Sequence, residues 1–302
     1  VTEEKLARAR TLFATVLDAE GGLKIQTVHS FCQSLLGRFP LEAGVSPRFE
    51  VMEEREAAEL MRTARDTVLR AARGSEGGPI AQALAAVTRR VNEDQFADLM
   101  RALAGERARL ARALAASGDV EGAVAAVEHA LGAEPGVSEE EVVRRACDDA
   151  AIEVMTLQAS ARTVLEIGKG KGEQELARIV LAWLAAGPEG RVELFSRYRG
   201  QFLTGDYAPK KNLLTKATIE AAPDAEEVLR AEQRRLLLAD ERQRIQATAE
   251  ATGGLIRLGA QILEAYARAK AARARLDYDD LIVKARDLLA GESVPAWVDA
   301  KL

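Results

Sequence analysis

The sequence predicts a mainly α-helical fold, and three observations support this prediction. The 302 residues are rich in Ala, Leu, Arg and Glu, which are strong helix formers. Aromatic residues make up only 4% of the chain, and runs of β-branched residues are scarce. Apolar residues recur at spacings of three and four, which is the period of an α-helix. An all-β sandwich and a collagen-like chain are therefore excluded.

The N-terminal part predicts two helices with a short strand between them. Residues 2–18 place their apolar side chains on one side of a helix, which a glycine pair ends. Residues 23–27 alternate apolar and polar, as a short strand does. The next helix begins at Val28 and has a core-facing apolar stripe made of Val28, Phe31, Leu35, Leu36 and Phe39. We therefore expect Phe31 to be buried.

After a short extended piece at 48–52, the helical pattern dominates the chain. Capping-box sequences at Asn92 and Ser138 predict two helix starts, and the first of these helices is expected to continue to Leu114. The longest pattern runs over about 223–275. Glycine, proline and polar clusters predict breaks at 74–79, 117–119, 168–172, 187–190 and 204–212.

Charge and cysteine usage limit the class of protein. The chain has 42 basic and 47 acidic residues, net −5, so any nucleic-acid contact is expected to be local. Two cysteines form no disulfide framework, which favours a reducing, cytoplasmic setting. The longest apolar stretch, 179–186, is far shorter than a membrane helix of about 20 residues, and no signal peptide opens the chain. We expect no membrane partner.

Two features invite a chemical interpretation but have simpler explanations. The glycine-rich segment 168–172 lacks the G-x-x-x-x-G-K-[ST] string of a phosphate loop, so we expect a solvated turn. Asp277, Asp279 and Asp280 could serve a metal or acid–base chemistry. They precede an apolar helical pattern, however, so Asp277 can cap a helix while Asp280 favours its positive end. We expect no metal site.

His29 is the more informative of the two histidines. It lies off the apolar stripe in the first turn of a helix that follows a strand, where α/β folds present groups to ligands. Thr27 and Ser30 add hydroxyls that can bind a phosphate or a base edge beside the helix-start amides. A purely structural histidine is the alternative.

Three sequence elements resemble those of superfamily 1A helicases of the UvrD/Rep type. Residues 24–32 resemble the T-x-H-x-F element, which contacts single-stranded DNA in that family. Residues 266–270 and 276–282 resemble the Y-x-x-x-K and D-[FY]-x-D-L elements. The flanking segments 7–13, 21–27 and 38–45 further resemble the AddA helicase–nuclease subunit of the alphaproteobacterial type.

The resemblance implies an organisation and a function. Residues 1–50 would form the edge of a first RecA-like domain (1A), 51–265 an inserted helical 1B domain, and 266–302 the return to 1A. The chain would be a DNA-binding and partner-docking segment of an ATP-dependent helicase that acts with an AddB-type subunit in double-strand break repair and recombination. The alternative is a helical protein–protein scaffold without DNA contact.

The chain departs from the family pattern in its ATP site. It contains no Walker A string, no Walker B string and no nuclease signature. The resemblance therefore implies ATP and Mg²⁺ for the parent protein and no cofactor in this segment, which alone is expected to be inactive and to have no catalytic residue. DNA, single-stranded or forked, is the expected partner.

The resemblance assigns DNA contact to matched positions only. These are Thr27, His29, Phe31, Tyr266 and Lys270, and Ser30 is added for its hydroxyl. Because the apolar stripe of α2 predicts that Phe31 packs and does not stack on a base, we expect His29 and Thr27 to be the pair that faces DNA. Lys270 could meet a phosphate, or it could pair with Asp277 or Asp280, and both alternatives stay open. Asp277, Asp279 and Asp280 would have a junction role. The best local basic patch, which could equally be a solvated face, comprises Arg197, Arg199, Lys210, Lys211 and Lys216.

Overall fold

The computed structural model describes residues 2–18, 26–74 and 77–290. Within these residues the fold is mainly α-helical, as predicted, with two short strands, β1 (Glu50–Val51) and β2 (Arg275–Leu276). The helices are α1 (Glu3–Asp18), α2 (Val28–Arg38), α3 (Glu54–Gly74), α4 (Pro79–Thr88), α5 (Glu93–Gly105), α6 (Arg107–Ser117), α7 (Val120–Leu131), α8 (Glu139–Cys147), α9 (Val154–Ile167), α10 (Lys171–Ala185), α11 (Gly187–Phe202), α12 (Lys216–Ala221), α13 (Pro223–Ala271) and α14 (Tyr278–Ala290). None of the helices in this described part is both long and apolar enough to cross a lipid bilayer.

The chain divides into two compact units. The first comprises Val1–Val68 and Ile262–Leu302, and the second comprises Leu69–Gln261. Within the described residues, the first unit thus combines an N-terminal and a C-terminal part of the chain. Most of α3 belongs to the first unit.

A two-stranded parallel sheet brings the two sequence segments of the first unit together. In it Glu50 pairs with Arg275, which confirms the extended piece predicted within 48–52. The prediction that the long helix continues to about Arg275 is wrong, since α13 ends at Ala271. The N–H of Glu50 donates to the carbonyl of Ala274 at 3.0 Å, a non-local bond that replaces helical bonding. No local pattern could have indicated it.

Helices α2 and α14 pack against each other and form the core of the first unit. Their buried side chains, with those of the adjoining loop and β2, are Cys32, Leu35, Leu36, Phe39, Val45, Leu276, Leu281, Ala285 and Leu288. The strand expected at 23–27 falls outside the described residues except for its last two positions, which lead directly into α2. The first turns of both helices belong to the sequence elements that resemble helicase motifs.

The core of the second unit contains a stack of aromatic rings. The rings of Trp183 and Tyr198 are parallel within 4°, with centroids 3.8 Å apart, and Phe202 meets Tyr198 edge-on at 5.3 Å. The Tyr198 hydroxyl donates to Glu232 at 2.6 Å, and burial is the main reason that the pKa of Tyr198 lies well above its ordinary value. Three of the chain's 13 Phe, Trp and Tyr residues thus pack together in this core.

The helix predicted from Asn92 to Leu114 is correct at its start and wrong in its length. Asn92 and Gln95 form the predicted capping box, with side chain to backbone distances of 2.9 and 3.0 Å. The helix stops at Gly105, and α6 begins after Glu106, whose ψ of 14° is not helical. Glycine weakens a helix interior by about 1 kcal/mol relative to alanine, which makes this position the weak point of the run.

Three glycines of α13 mark places where other helices approach its backbone closely. A Cβ atom at Gly254 would lie 2.7 Å from the carbonyl oxygen of Ala83 in α4. A Cβ at Gly259 would lie 2.7 Å from Leu110 of α6, and one at Gly253 would lie 3.1 Å from a methyl group of α7. The glycines that soften the predicted helix are therefore packing positions.

Candidate nucleic-acid interface

The start of α2 holds four of the residues expected to contact DNA. Thr27 is the N-cap, and its Oγ1 accepts from the backbone N–H of Ser30 at 3.2 Å. The two hydroxyl oxygens lie 3.0 Å apart, and both side chains are exposed. Because a hydroxyl offers one donor and two acceptor positions, each retains capacity toward a ligand.

His29 touches the first residue of α14. Its half-buried ring meets that of Tyr278 at a centroid distance of 5.0 Å and an interplanar angle of 70°, an edge-to-face arrangement. The contact joins the T-x-H-x-F-like element to the D-[FY]-x-D-L-like element, although they stand at opposite ends of the sequence. Sequence reasoning gave Tyr278 no role.

The expectation that Phe31 is buried is wrong. Its side chain is 39% exposed, and Val28 one turn earlier is 67% exposed. The buried face of α2 consists of Cys32, Leu35, Leu36 and Phe39, which follow the i, i+3, i+4, i+7 spacing. The predicted stripe omitted Cys32 and instead included Val28 and Phe31, which lie on an exposed side of the helix. As a result the aromatic ring of Phe31 lies at the surface, in the first turns of α2.

Lys270 and Tyr266 lie in a buried cluster with the carboxylates of the α14 start. Lys270 Nζ donates to Asp277 Oδ2 at 3.0 Å and also to Asp280, while Tyr266 Oη donates to Asp277 Oδ2 at 2.8 Å. Lys270 is only 8% exposed and Asp277 only 3%. Of the two alternatives for Lys270, pairing with the carboxylates is the one observed.

Asp277 and Asp280 cap α14 reciprocally. Asp280 N–H donates to Asp277 Oδ1 at 2.9 Å, and Asp277 N–H donates to Asp280 Oδ2 at 3.0 Å. The predicted cap at Asp277 is confirmed, and Asp280, which was predicted to favour the positive end of the helix, also accepts a backbone hydrogen bond there. Burial disfavours the ionised form of Asp277, but the Asp280 N–H and the Lys270 ammonium outweigh it and lower the pKa of Asp277. Asp279 is exposed, since neighbouring helical residues point about 100° apart.

One known protein family matches the part of the sequence that contains all of these residues. The sequence model of the UvrD/REP helicase N-terminal domain matches residues 3–300. The chain belongs to this family. Its members are ATP-dependent DNA helicases of superfamily 1A, which use ATP and Mg²⁺. No curated protein matches the sequence.

The glycine-rich segment of this UvrD/REP-family chain does not fit a phosphate. Glu173 Oε1 accepts from the N–H of Gly170 at 2.7 Å, and its Oε2 accepts from the N–H of Thr215 at 2.8 Å. Burial disfavours the charged form of Glu173, but these backbone donors outweigh it and lower its pKa. The carboxylate thus occupies the position that an anion would need.

The described residues do not fit the Mg²⁺ that the family uses. Within residues 2–18, 26–74 and 77–290, no group of three or more His, Cys, Asp and Glu side chains could hold a metal ion. The acidic pairs form helix caps and ion pairs. No chemical step through a nucleotide or a metal follows from this part of the chain.

The structure separates the members of the predicted basic patch. Arg199 is largely buried and pairs with the wholly buried Asp240, which Arg244 also binds at 2.9 Å. Lys210 Nζ donates to the carbonyl of Gly200 at 2.6 Å and so fixes its loop to α11. The three remaining members are exposed: Arg197, Lys211 and Lys216.

Tyr207 is a second aromatic residue without a role in the sequence analysis. It lies in the loop at 204–212 that was predicted to be irregular, and its φ is 61°, in the left-handed region. The guanidinium carbons of Arg199 and Arg244 each lie 5.2 Å from its ring centroid. The ring therefore covers the ion pairs of Asp240 by cation–π contact.

Proposed function

We propose that this chain is the DNA-binding segment of an ATP-dependent DNA helicase of the AddA type, and that the start of α2 contacts a single strand. One observation carries the proposal: in the first turns of α2 the half-exposed ring of Phe31 directly follows Ser30 and lies one helical turn from Thr27, and both of these hydroxyl side chains are exposed.

The chemistry of these groups suits a single-stranded nucleic acid. A half-exposed aromatic ring can stack on any base, because every base has a π-face. Hydroxyls and amides at a helix start can bind phosphate oxygens, and the positive end of the α2 dipole favours them. Such a contact is local, which agrees with a chain whose net charge is −5.

The proposal is tested by fluorescence anisotropy with a labelled single-stranded oligonucleotide at low salt. We expect weak binding that falls as salt rises, because phosphate contacts release counterions. Phe31→Ala and His29→Ala should each weaken binding, the former by about fivefold or more from lost stacking. Circular dichroism verifies that the variants are folded.

The chain offers a matched control for each variant. His129→Ala removes the other, exposed histidine on α7, and Leu41→Ala removes an exposed apolar side chain of the first unit. Neither should change the affinity. Absent binding, or binding equally weakened by the controls, would contradict the DNA contact and favour the alternative of a protein–protein scaffold.

We further propose docking to an AddB-type subunit and action in double-strand break repair and recombination in the cytoplasm. The resemblance of the flanking segments to AddA supports this. Arg197, Lys211 and Lys216 are exposed and could contact a fork or the partner. Size-exclusion chromatography of the chain mixed with an AddB-type subunit should give a co-eluting complex; separate elution would contradict the docking role.

A further inference from the structure

Tyr278, the first residue of α14, touches His29 of α2 beside the proposed DNA-contacting surface. Its ring is 45% exposed, and its edge-to-face contact with His29 has a centroid distance of 5.0 Å. His29 lies in the first helical turn, where a half-exposed side chain would otherwise sample several rotamers. The contact with Tyr278 selects among them.

The backbone of Tyr278 is fixed on both sides. Asp277 before it and Asp280 after it exchange two hydrogen bonds of 2.9 and 3.0 Å across the residue. Leu281 is fully buried in the core between α2 and α14. The two hydrogen bonds and the burial of Leu281 therefore fix the backbone position from which the Tyr278 side chain extends.

Lys270 of α13 binds the two carboxylates at the start of α14. Its ammonium binds both Asp277 and Asp280, and Tyr266 adds a hydrogen bond to Asp277. A phosphate has no suitable place at this ammonium, because its donors are directed at two carboxylates that would repel an anion. Lys270 thus acts on the protein and not on a ligand.

We infer that Tyr278 is a positioning residue that holds the imidazole of His29 toward a nucleic-acid strand, with the Lys270–Asp277–Asp280 cluster as its anchor. This inference rests on the proposed function, because it assigns a role in the same DNA contact. It also gives the two C-terminal sequence elements a shared role, since together they orient a residue of the N-terminal element.

A double-mutant cycle on single-stranded DNA affinity tests the inference. Tyr278→Leu should weaken binding by about two- to tenfold, the range for an edge-to-face ring contact, while Tyr278→Phe retains the ring and should bind like the unmodified chain. In the His29→Ala background, Tyr278→Leu should cause no further loss, because the residue acts through His29. If Tyr278→Leu does not fold, Tyr278→Gln replaces it at this exposed helix start.

A second readout follows His29 without DNA. The chain has only two histidines, so its imidazole proton resonances are few, and His29→Ala identifies one of them. Tyr278→Leu should shift the His29 resonance by removing the ring current, whereas Tyr278→Phe should leave it close to its original position. An unshifted His29 resonance in Tyr278→Leu would overturn the positioning role.

The outcomes separate the inference from the proposed function. If His29→Ala leaves the affinity unchanged, the DNA contact of His29 fails, and the inference fails with it. If His29→Ala weakens binding, and Tyr278→Leu weakens binding by the same factor with His29→Ala as without it, only the inference is overturned. A loss in Tyr278→Phe as large as in Tyr278→Leu would also overturn it, since the ring contact would then not be the cause.

Discussion

Lys270 and Asp277 form a buried ion pair, with Nζ 3.0 Å from Oδ2. Asp280 shares the ammonium, and Tyr266 donates to Asp277 at 2.8 Å. A buried charge that loses its partner is strongly destabilising, whereas a fully paired cluster is tolerated. The contribution of each of these four residues to stability therefore depends on the other three, and a variant that removes the lysine cation tests this.

Lys270→Met should lower the free energy of unfolding by about 3–5 kcal/mol, because it leaves a buried carboxylate without its cation. Urea denaturation followed by circular dichroism measures the change. The matched control is Arg268→Met on the same helix, which removes an exposed ion pair with Glu264 and should change stability by less than about 1 kcal/mol. Equal losses of unfolding free energy in both variants would show that the buried cluster stabilises the fold no more than an exposed ion pair does.

The contribution of Asp277 should depend on pH. Its folded-state pKa lies below the ordinary value, so its stabilisation is present above that ordinary value, about 3.9, and is lost as the pH falls through the folded-state pKa. The difference in unfolding free energy between the unmodified chain and Asp277→Asn should therefore be largest near neutral pH and shrink in acid. Urea titrations at neutral pH and at about pH 3 measure it. A difference that grows in acid would contradict the lowered pKa.

Glu173→Ala should destabilise the second unit by about 2–3 kcal/mol, since hydrogen bonds to charged groups are worth more than neutral ones. The amides of Gly170 and Thr215 lose their acceptor, so their hydrogen exchange should accelerate. Glu175→Ala, two positions along α10, removes an exposed carboxylate that forms surface ion pairs with Arg178 and Arg197, and it serves as control. Unchanged exchange at both amides would refute the assignment of Glu173 as their acceptor.

Gly254→Ala and Gly172→Ala should have opposite effects. A Cβ at Gly254 would lie 2.7 Å from a backbone oxygen of α4, so we expect a loss of about 1–3 kcal/mol. A Cβ at Gly172 meets nothing within 4 Å, so the better helix propensity of alanine should add about 0.5–1 kcal/mol. Thermal unfolding of the two variants gives both signs, and a stabilising Gly254→Ala would contradict the close helix approach.

The thiol of Cys147 should be unreactive in the folded chain. Burial raises its pKa to about 11, so the reactive thiolate is scarce at pH 8. Cys32 is buried as well. Iodoacetamide at pH 8, followed by mass spectrometry, should modify both cysteines only after urea is added. Fast modification of Cys147 without urea would indicate that α8 opens readily.

The elements that the sequence predicted correctly depend on local chemistry. The capping side chains of Asn92 and Ser138 bond to backbone N–H groups three residues ahead, at 2.9 and 3.1 Å, and such bonds need only the local sequence. Asp277 was predicted as a cap for the same reason. The pairing of Lys270 with Asp277 remained one of two alternatives, because the sequence does not show that the Lys270 ammonium is buried.

The features that the sequence did not predict depend on contacts between distant segments. After α13 ends at Ala271, the chain turns through Ala274, whose φ is 51°, into strand β2, which pairs with β1. The exposure of Phe31 depends on which face of α2 meets α14. The contact between His29 and Tyr278 follows from that same helix packing. An aromatic residue at a helix start signals nothing until its neighbour from the other end of the chain is known.

The glycines of α13 also bear on the order in which the second unit folds. Residues 253–259 include three glycines, and each weakens a lone helix by about 1 kcal/mol relative to alanine. That stretch gains its stability when α4, α6 and α7 dock on it, so its helical hydrogen bonds should become protected from exchange only when those helices have docked. The longest helix of the chain is thus assembled in sections, with the glycine section completed by its neighbours.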